Sequence, residues 1–264
     1  MPLTDDQLER YARHIILKEV GGVGQAKLLS SSVLVIGAGG LGSPLLLYLA
    51  AAGVGRIGIV DFDEVTLSNL QRQIIHGTPD LGRKKTESAA DHIAAVNPDV
   101  EVVTHTERLD ESNALALISA YHVVADGTDS FETRFLVNDA CYFAKRPLVS
   151  AALGQFEGQL STFKAYERGD NPCYRCLFPV PPPPGTIPSC AEGGILGALA
   201  GAMGSLQAVE VLKEIMGLGE SMSGRLMIYD ALTARTRLVK VKPDPDCALC
   251  GAHPTIRQFP RPAA

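Results

Sequence analysis

Leu8, Tyr11, Ile15 and Ile16 share one helical face near the start of the chain, and Gly21, Gly22 and Gly24 are expected to break that helix. Val33–Ile36 is a short, wholly apolar run, the pattern of a strand buried on both faces of a parallel sheet. Gly37-Ala-Gly-Gly-Leu-Gly42 follows and leads into an apolar helix reaching about Ala52. A second strand is expected over Arg56–Val60, ending at Asp61. The alternation continues with a helix over Lys84–Val96, a strand over Val100–Thr104 and a helix over Leu115–Ser119. It goes on through a strand over Tyr121–Ala125, a helix over Phe131–Ala144 and a strand over Pro147–Ala152. Strands alternating with helices predict an α/β fold with a doubly wound, mainly parallel, Rossmann-like sheet.

Beyond Gly154 the rhythm changes, and the sheet is expected to become mixed. Gln159–Ala165 reads as a strand, and Pro179–Pro188, with four consecutive prolines, as an extended linker that cannot join a helix or sheet interior. A long helix is expected from about Gly194 to Met216, then strands near Arg225–Tyr229 and Arg235–Val241. The whole chain, 1–264, is read as one domain. Residues 1–30 form an N-terminal helical arm, 31–153 a nucleotide-binding half, 154–250 a second half with the linker, and 251–264 a tail.

Composition narrows the classes. The chain has 264 residues, 46% hydrophobic, with a net charge of -5, so a sizeable core is available and the basic balance of a nucleic-acid binder is missing. Residues 193–209 carry no charge, but the stretch is short and Gly-rich and includes Ser205 and Gln207, so a buried helix is expected rather than a membrane span. No signal peptide is visible at the polar start, which makes a reducing cytoplasm the expected setting.

The chemistry concentrates in a few motifs. Gly37-x-Gly39-x-x-Gly42 between a strand and a helix lets backbone N–H groups approach a phosphate, and Asp61 ends the next strand where a carboxylate can accept ribose hydroxyls. On this evidence alone an NAD-dependent dehydrogenase and a ligand-free turn stay open. Ser68-Asn-Leu-Gln-Arg72 and Arg83-Lys-Lys85 add cations near that turn, which a nucleotidyl-transfer enzyme needs and a dehydrogenase does not. Lys84 fits a solvated helix face, whereas Arg72 in its polar turn fits it less well. Asp126-Gly-Thr-Asp129 ends a strand where ligands bind; Asp129 suits Mg²⁺ on ATP phosphates, and a helix N-cap by Asp129 or Ser130 is the alternative.

Six cysteines are present. Cys173-x-x-Cys176 and Cys247-x-x-Cys250 match the ligand set of a tetrahedral Zn²⁺ site; a redox dithiol would leave one pair unexplained. Cys190, between the prolines and a helix start, reads equally as a nucleophile with a lowered pKa or as a spare small residue. Cys141 falls mid-helix and belongs to the core. The histidines show no ligand spacing and receive no role.

Taken together, the glycine turn, Asp61, the Ser68–Arg72 stretch, Lys85, Asp129 and the two cysteine pairs resemble the MoeB/ThiF/HesA group, relatives of the ubiquitin-activating enzymes. The resemblance runs from Arg10 to Cys250, and Cys173-Tyr-Arg-Cys176 and Gly204-Ser-Leu-Gln-Ala208 are most similar to the molybdopterin-synthase-activating branch, MoeB. It implies ATP-dependent adenylylation of the Gly-Gly carboxylate of a ubiquitin-like sulfur-carrier protein, releasing pyrophosphate and preparing a thiocarboxylate. A MoaD-like carrier implies molybdenum cofactor synthesis, and a ThiS-like carrier thiamine or another thio-product. Gly37, Gly39, Gly40, Gly42 and Asp61 would then hold the nucleotide. Ser68, Asn69, Leu70 and Gln71 would surround it, Arg72 and Lys85 would meet its phosphates, and Asp129 would hold Mg²⁺. Arg13 matches an arginine that reaches the partner subunit's site, implying a homodimer. Cys190 matches a position used in sulfur or thioester chemistry by some members only. Ser130 replaces a common Asn, which puts a secondary nucleotide contact in question. With no rhodanese domain in the sequence, a separate sulfur donor is expected. A non-catalytic activator subunit would have lost phosphate-binding residues, and here they are present.

Overall fold

The structure is a computed structural model describing residues 3–183 and 193–260. The elements in chain order are helices α1 (Asp5–Arg10), α2 (Ala12–Ile15) and α3 (Gly21–Leu29), strand β1 (Ser32–Ile36), α4 (Gly42–Ala51), β2 (Arg56–Val60), α5 (Lys85–Val96) and β3 (Glu101–His105). They continue with α6 (Ala114–Ser119), β4 (Val123–Asp126), α7 (Phe131–Ala144), β5 (Leu148–Leu153), β6 (Glu157–Phe163), α8 (Tyr174–Leu177), α9 (Gly197–Met216), β7 (Arg225–Asp230) and β8 (Arg235–Lys240).

Among the described residues, eight strands form one sheet in the order β3-β2-β1-β4-β5-β6-β7-β8. The first five are parallel, and from β5 onward each pairing is antiparallel. This is the expected doubly wound sheet running on into a mixed one. The strand order reverses beside β1, so the crevice at the carboxyl ends of β1, β2 and β4 is where this architecture places ligands.

Alternation along β1 builds both layers. Val33 and Val35 pack with Leu45, Leu49, Ile93 and Met203 on one face, while Leu34 and Ile36 pack with Ile118, Phe135 and Val137 on the other. The uncharged stretch supplies most of α9, buried against β5, β6 and α4. Its small residues let it approach closely: a Cβ on Gly204 would lie 2.3 Å from the Leu41 carbonyl oxygen. No helix of the described residues is long and apolar enough to cross a membrane.

One expectation is corrected. Gly21, Gly22 and Gly24 do not simply break a helix but open α3. Gly24 sits where a Cβ would come within 3.0 Å of Val20 and 3.2 Å of Met216, so close packing on α9 outweighs glycine's poor helix propensity. Residues 184–188 of the proline linker, and Cys190, lie outside the described residues.

Candidate active site

The turn between β1 and α4 is tight. Gly37 has φ +93°, and a Cβ on Gly42 would lie 1.9 Å from the Gly37 carbonyl oxygen. Gly42 is therefore required by the turn itself, while Gly37, Gly39 and Gly40 line the cavity beside it. That cavity, about 550 Å³, spans the carboxyl ends of β1, β2 and β4 and extends toward β6 and α8. Its size suits a ligand larger than a nucleoside alone.

Asp61 follows β2 directly. Its Oδ2 accepts from the Ala38 N–H at 2.8 Å and its Oδ1 from the Asp63 N–H at 2.9 Å, so the carboxylate is pinned against the glycine turn. Burial pushes its carboxyl up from the ordinary value, against the opposing pull of nearby Lys85. Each oxygen keeps a lone pair for a further donor. Lys85 begins α5 and is 5% exposed; its Nζ donates to Asp63 Oδ2 at 2.8 Å. Arg72 lies over Gly40, where a Cβ would come 3.5 Å from its Cγ, and its guanidinium donates to the Ser68 carbonyl at 3.1 Å. The closest approach to Gly40 is from Ala200 of α9, whose Cβ would lie 3.1 Å from a Cβ there.

At the end of β4, Asp126 and Asp129 divide their tasks. Asp126 is fully buried; its Oδ1 accepts from the Thr128 N–H at 2.9 Å and the Thr128 hydroxyl at 2.7 Å, and burial raises its carboxyl despite the nearby Arg134. Asp129 is exposed on the cavity wall. Ser130 takes the cap position of α7, its hydroxyl accepting from the Thr133 N–H at 3.3 Å. That leaves the Asp129 carboxylate unspent on the helix, so one exposed carboxylate faces the phosphate side of the cavity, a donor arrangement that suits Mg²⁺ shared with a polyphosphate.

Not every expected residue lines the cavity. Ser68, Asn69, Leu70 and Gln71 lie one shell out, in the turn that carries Arg72. Asn69 Oδ1 accepts from the Thr66 N–H at 3.3 Å, closing that turn, and Gln71 packs on the start of α9, where a Cβ on Gly197 would come 2.4 Å from its carbonyl. Arg13 is exposed on α2 and outside this cavity.

Several contributors received no role from the sequence. His76 joins the glycine turn to α5: its Nε2–H donates to the Ala38 carbonyl at 2.9 Å and its Nδ1 accepts from the Ser88 hydroxyl at 2.8 Å. Burial lowers its pKa, which favours this neutral form. Gln207 on α9 donates to the Asp126 and Val149 carbonyls at 2.9 and 3.0 Å, tying the ends of β4 and β5 together. The buried Gln73 lines the cavity and its Oε1 has no partner among the described residues. His76 and Gln73 sit in no spacing that marks them, and Gln207 lies in the Gly204–Ala208 stretch without its contacts being legible there; only the folded neighbours give these residues work.

The two cysteine pairs meet. The Sγ atoms of Cys173, Cys176, Cys247 and Cys250 all lie within 4.8 Å of one another, with separations of 3.3 to 3.8 Å where they touch. A tetrahedral ion with Zn–S near 2.3 Å needs sulfurs about 3.8 Å apart. The fit is close, and four soft thiolates are the donor set for structural Zn²⁺. Hydrogen bonding from Cys173 draws the Cys176 thiol below its ordinary value.

This cluster is joined to the nucleotide side. Arg175, between Cys173 and Cys176, makes a buried bidentate pair with Asp139 of α7, both bonds 2.7 Å, and the Tyr174 N–H donates to Asn138 at 2.8 Å. Helix α7 begins just after Asp129, and Tyr174, Leu177 and Phe178 form the far wall of the cavity.

Comparison with known proteins points one way. A profile of the ThiF family matches residues 11–249. The chain is 47% identical over 261 residues to the sulfur carrier protein adenylyltransferase of Thermus thermophilus, covering 98% of this chain and 96% of that protein. It is 48% identical over 258 residues to the adenylyltransferase and sulfurtransferase MOCS3 of Aedes aegypti, covering 97% of this chain and 58% of that protein. The chain thus spans little more than half the length of several curated relatives it matches. Among solved structures, E. coli MccB with ATP superposes with a TM-score of 0.78 at 22% identity, covering 92% of this chain and 73% of that one. That likeness speaks to the fold.

Proposed function

The chain belongs to the ThiF family, and from that premise we propose that it adenylylates the C-terminal carboxylate of a ubiquitin-like sulfur-carrier protein, with a MoaD-like carrier of molybdenum cofactor synthesis as the first candidate. The observation that carries the reading is the convergence of Arg72, Lys85 and Asp129 on one cavity beneath the glycine turn.

The chemistry follows from those positions. The carrier's carboxylate is ionised at neutral pH, so its attack on the α-phosphorus of ATP needs no general base. Two charges must be managed, the approaching carboxylate and the departing pyrophosphate. Catalysis is then positioning and charge neutralisation. Asp61 accepts the ribose hydroxyls, the turn at Gly37, Gly39 and Gly40 lets backbone approach the phosphates, and Arg72 and Lys85 neutralise the leaving group. Asp129 would hold Mg²⁺, which supplies further neutralisation of the phosphates. The carrier's tail, ending in Gly-Gly, would enter from the β6 and α8 side of the cavity. The adenylate then meets sulfur from a separate donor protein in the cytoplasm. Cys173, Cys176, Cys247 and Cys250 would hold Zn²⁺ as a fastening of the C-terminal segment. Cys190 is assigned to the sulfur step alone.

The assembly proposed is a homodimer. Arg13 stands outside its own cavity, beside exposed apolar side chains: Ile16 and Leu17 just after α2, and Val23, Tyr48 and Val209 on α3, α4 and α9. A second copy covering that surface would bring Arg13 toward the partner's cavity.

The test is ATP–pyrophosphate exchange with purified MoaD-like and ThiS-like carriers, each with and without its terminal Gly-Gly. Exchange that requires the Gly-Gly supports the reading and names the carrier. A protein that binds ATP yet exchanges with neither carrier ends it.

A further inference from the structure

Ala38 lies buried inside the glycine turn and is held at both of its backbone groups. Its N–H donates to Asp61 Oδ2 at 2.8 Å, and its carbonyl accepts from the His76 Nε2–H at 2.9 Å. A trans peptide points its C=O and N–H in opposite directions, so fixing the Ala38 carbonyl against His76 turns the Gly39 N–H away from that ring. Gly39 lines the cavity, and an N–H leaving this turn is the kind of donor a phosphate oxygen meets.

Behind His76 lies a set of polar groups that the proposed chemistry does not use. The His76 Nδ1 is 2.8 Å from the Ser88 hydroxyl, and that hydroxyl is also within reach of the Asp80 carboxylate. Asp80 is buried and accepts from the Gly77 N–H and the Arg83 guanidinium, both at 2.8 Å. His92, whose Nδ1–H donates to the Ser88 carbonyl at 2.8 Å, stands 3.9 Å from the same carboxylate. Burial pushes the Asp80 carboxyl up, but its donors outweigh burial and hold it below the ordinary value, so it is ionised at neutral pH.

Ser88 has one hydroxyl proton and two acceptors in reach of it. The Ala38 carbonyl can only accept, so Nε2 of His76 always carries hydrogen. With the ring neutral, Nδ1 is bare and takes the Ser88 proton. When Nδ1 gains a hydrogen it donates to Ser88 Oγ, and the hydroxyl turns to Asp80. The ring keeps both of its hydrogen bonds in either form, so charging it strands no buried polar atom. Burial and Lys85 oppose the charge, while Asp61 and Asp80 favour it, and in the protein alone burial and Lys85 prevail. A polyphosphate on the turn adds negative charge to the favouring side and covers the charge of Lys85.

We propose, resting on the nucleotide reading above, that His76 is a positioning residue for the phosphates. It aims the Gly39 N–H through the Ala38 carbonyl, and it takes up a proton from solvent at Nδ1 when a polyphosphate binds, with Ser88 turning onto Asp80.

Calorimetry in buffers of different ionisation enthalpy counts the protons taken up per ligand bound. His76→Gln keeps a donor for the Ala38 carbonyl but cannot be charged. Near pH 6.5, about the unperturbed histidine pKa, the unaltered protein should take up more of a proton than His76→Gln, with inorganic tripolyphosphate and with Mg²⁺-ATP alike. Ser88→Ala, which cuts the link to Asp80, should lose most of that excess. His76→Leu, with no donor for Ala38, should raise the Kd for ATP about tenfold, the scale of one lost hydrogen bond, and His76→Gln should restore most of it. The ¹⁵N resonances of the imidazole rings give a reading without any substitution: on adding tripolyphosphate, one ring should pass from singly to doubly protonated. Equal proton uptake in the unaltered protein and His76→Gln, no recovery of affinity from Leu to Gln, or no ring that changes its protonation overturns the assignment and leaves the proposed function standing. Failure of the unaltered protein to bind Mg²⁺-ATP overturns both together.

Discussion

The ammonium of Lys85, almost wholly buried at the first turn of α5, donates to Oδ2 of Asp63 at 2.8 Å, and the Lys85 backbone N–H donates to the Asp63 carbonyl at 3.1 Å. Side chain and backbone are thus fixed to the same residue, two positions beyond Asp61. The charge is set at the cavity wall before any nucleotide arrives, and a preorganised cation costs little reorganisation when negative charge moves toward it. Lys85→Ala should lower pyrophosphate exchange by on the order of 10²-fold, because one preorganised contact to developing charge is removed. Asp63→Ala should lower it less, since the lysine remains but is no longer aimed. Equal rates for Lys85→Ala and the unaltered protein would remove Lys85 from the mechanism.

Asp129→Ala and Arg72→Ala should each reduce exchange by on the order of 10²-fold. The two differ in their dependence on metal. Asp129→Asn should shift the Mg²⁺ concentration for half-maximal rate upward, and Arg72→Ala should leave it in place. A shared metal dependence in both variants contradicts the assignment of Asp129.

The four-cysteine site should bind one zinc per chain by elemental analysis of the purified protein. Cys247→Ser should lose the metal and lower the Tm, because the site ties residues near 173 to residues near 247 across a long loop. Full retention of Tm after exhaustive chelation would show that these thiols fasten nothing.

The buried Arg175–Asp139 pair gives a stability test independent of the chemistry. Arg175→Ala leaves the Asp139 carboxylate buried with one donor, from Asn138, so urea unfolding should show a loss of about 3–5 kcal/mol. Replacing both partners, as Arg175→Met with Asp139→Leu, should cost much less, since no charge is stranded. A double variant as unstable as the single one would mean the pair's packing matters more than its charge.

His76 makes the stability depend on pH. Its folded pKa lies below the unfolded value near 6.5, so on acidification the unfolded chain takes up a proton first. Its contribution is fully present above about pH 6.5 and is lost as pH falls from there through the folded pKa. The Tm of the unaltered protein should therefore drop between pH 7 and 5 more steeply than that of His76→Gln. Parallel Tm curves would assign the acid sensitivity elsewhere.

The order of elements, the glycine turn, Asp61 at the end of β2, the acidic end of β4 and the paired cysteines could all be read along the chain. Each depends on local sequence: a short wholly apolar run in β1, a glycine where backbone must turn with positive φ, thiols three residues apart. The resemblance to a family was legible for the same reason, since its motifs are local. The tertiary structure alone decided which residues share a wall. It put Arg72 on the cavity wall and left Ser68, Asn69, Leu70 and Gln71 in the turn behind it. It gave the α7 cap to Ser130 and so left Asp129 for the cavity. It turned Gly21–Leu29 into a helix through contact with α9, and it recruited His76 from a stretch with no motif. The physical reason is the same in each case. Spacing along the chain fixes hydrogen bonds and turns over a few residues, whereas a cavity joins the ends of strands and helices far apart in sequence, and only packing determines which side chains meet there.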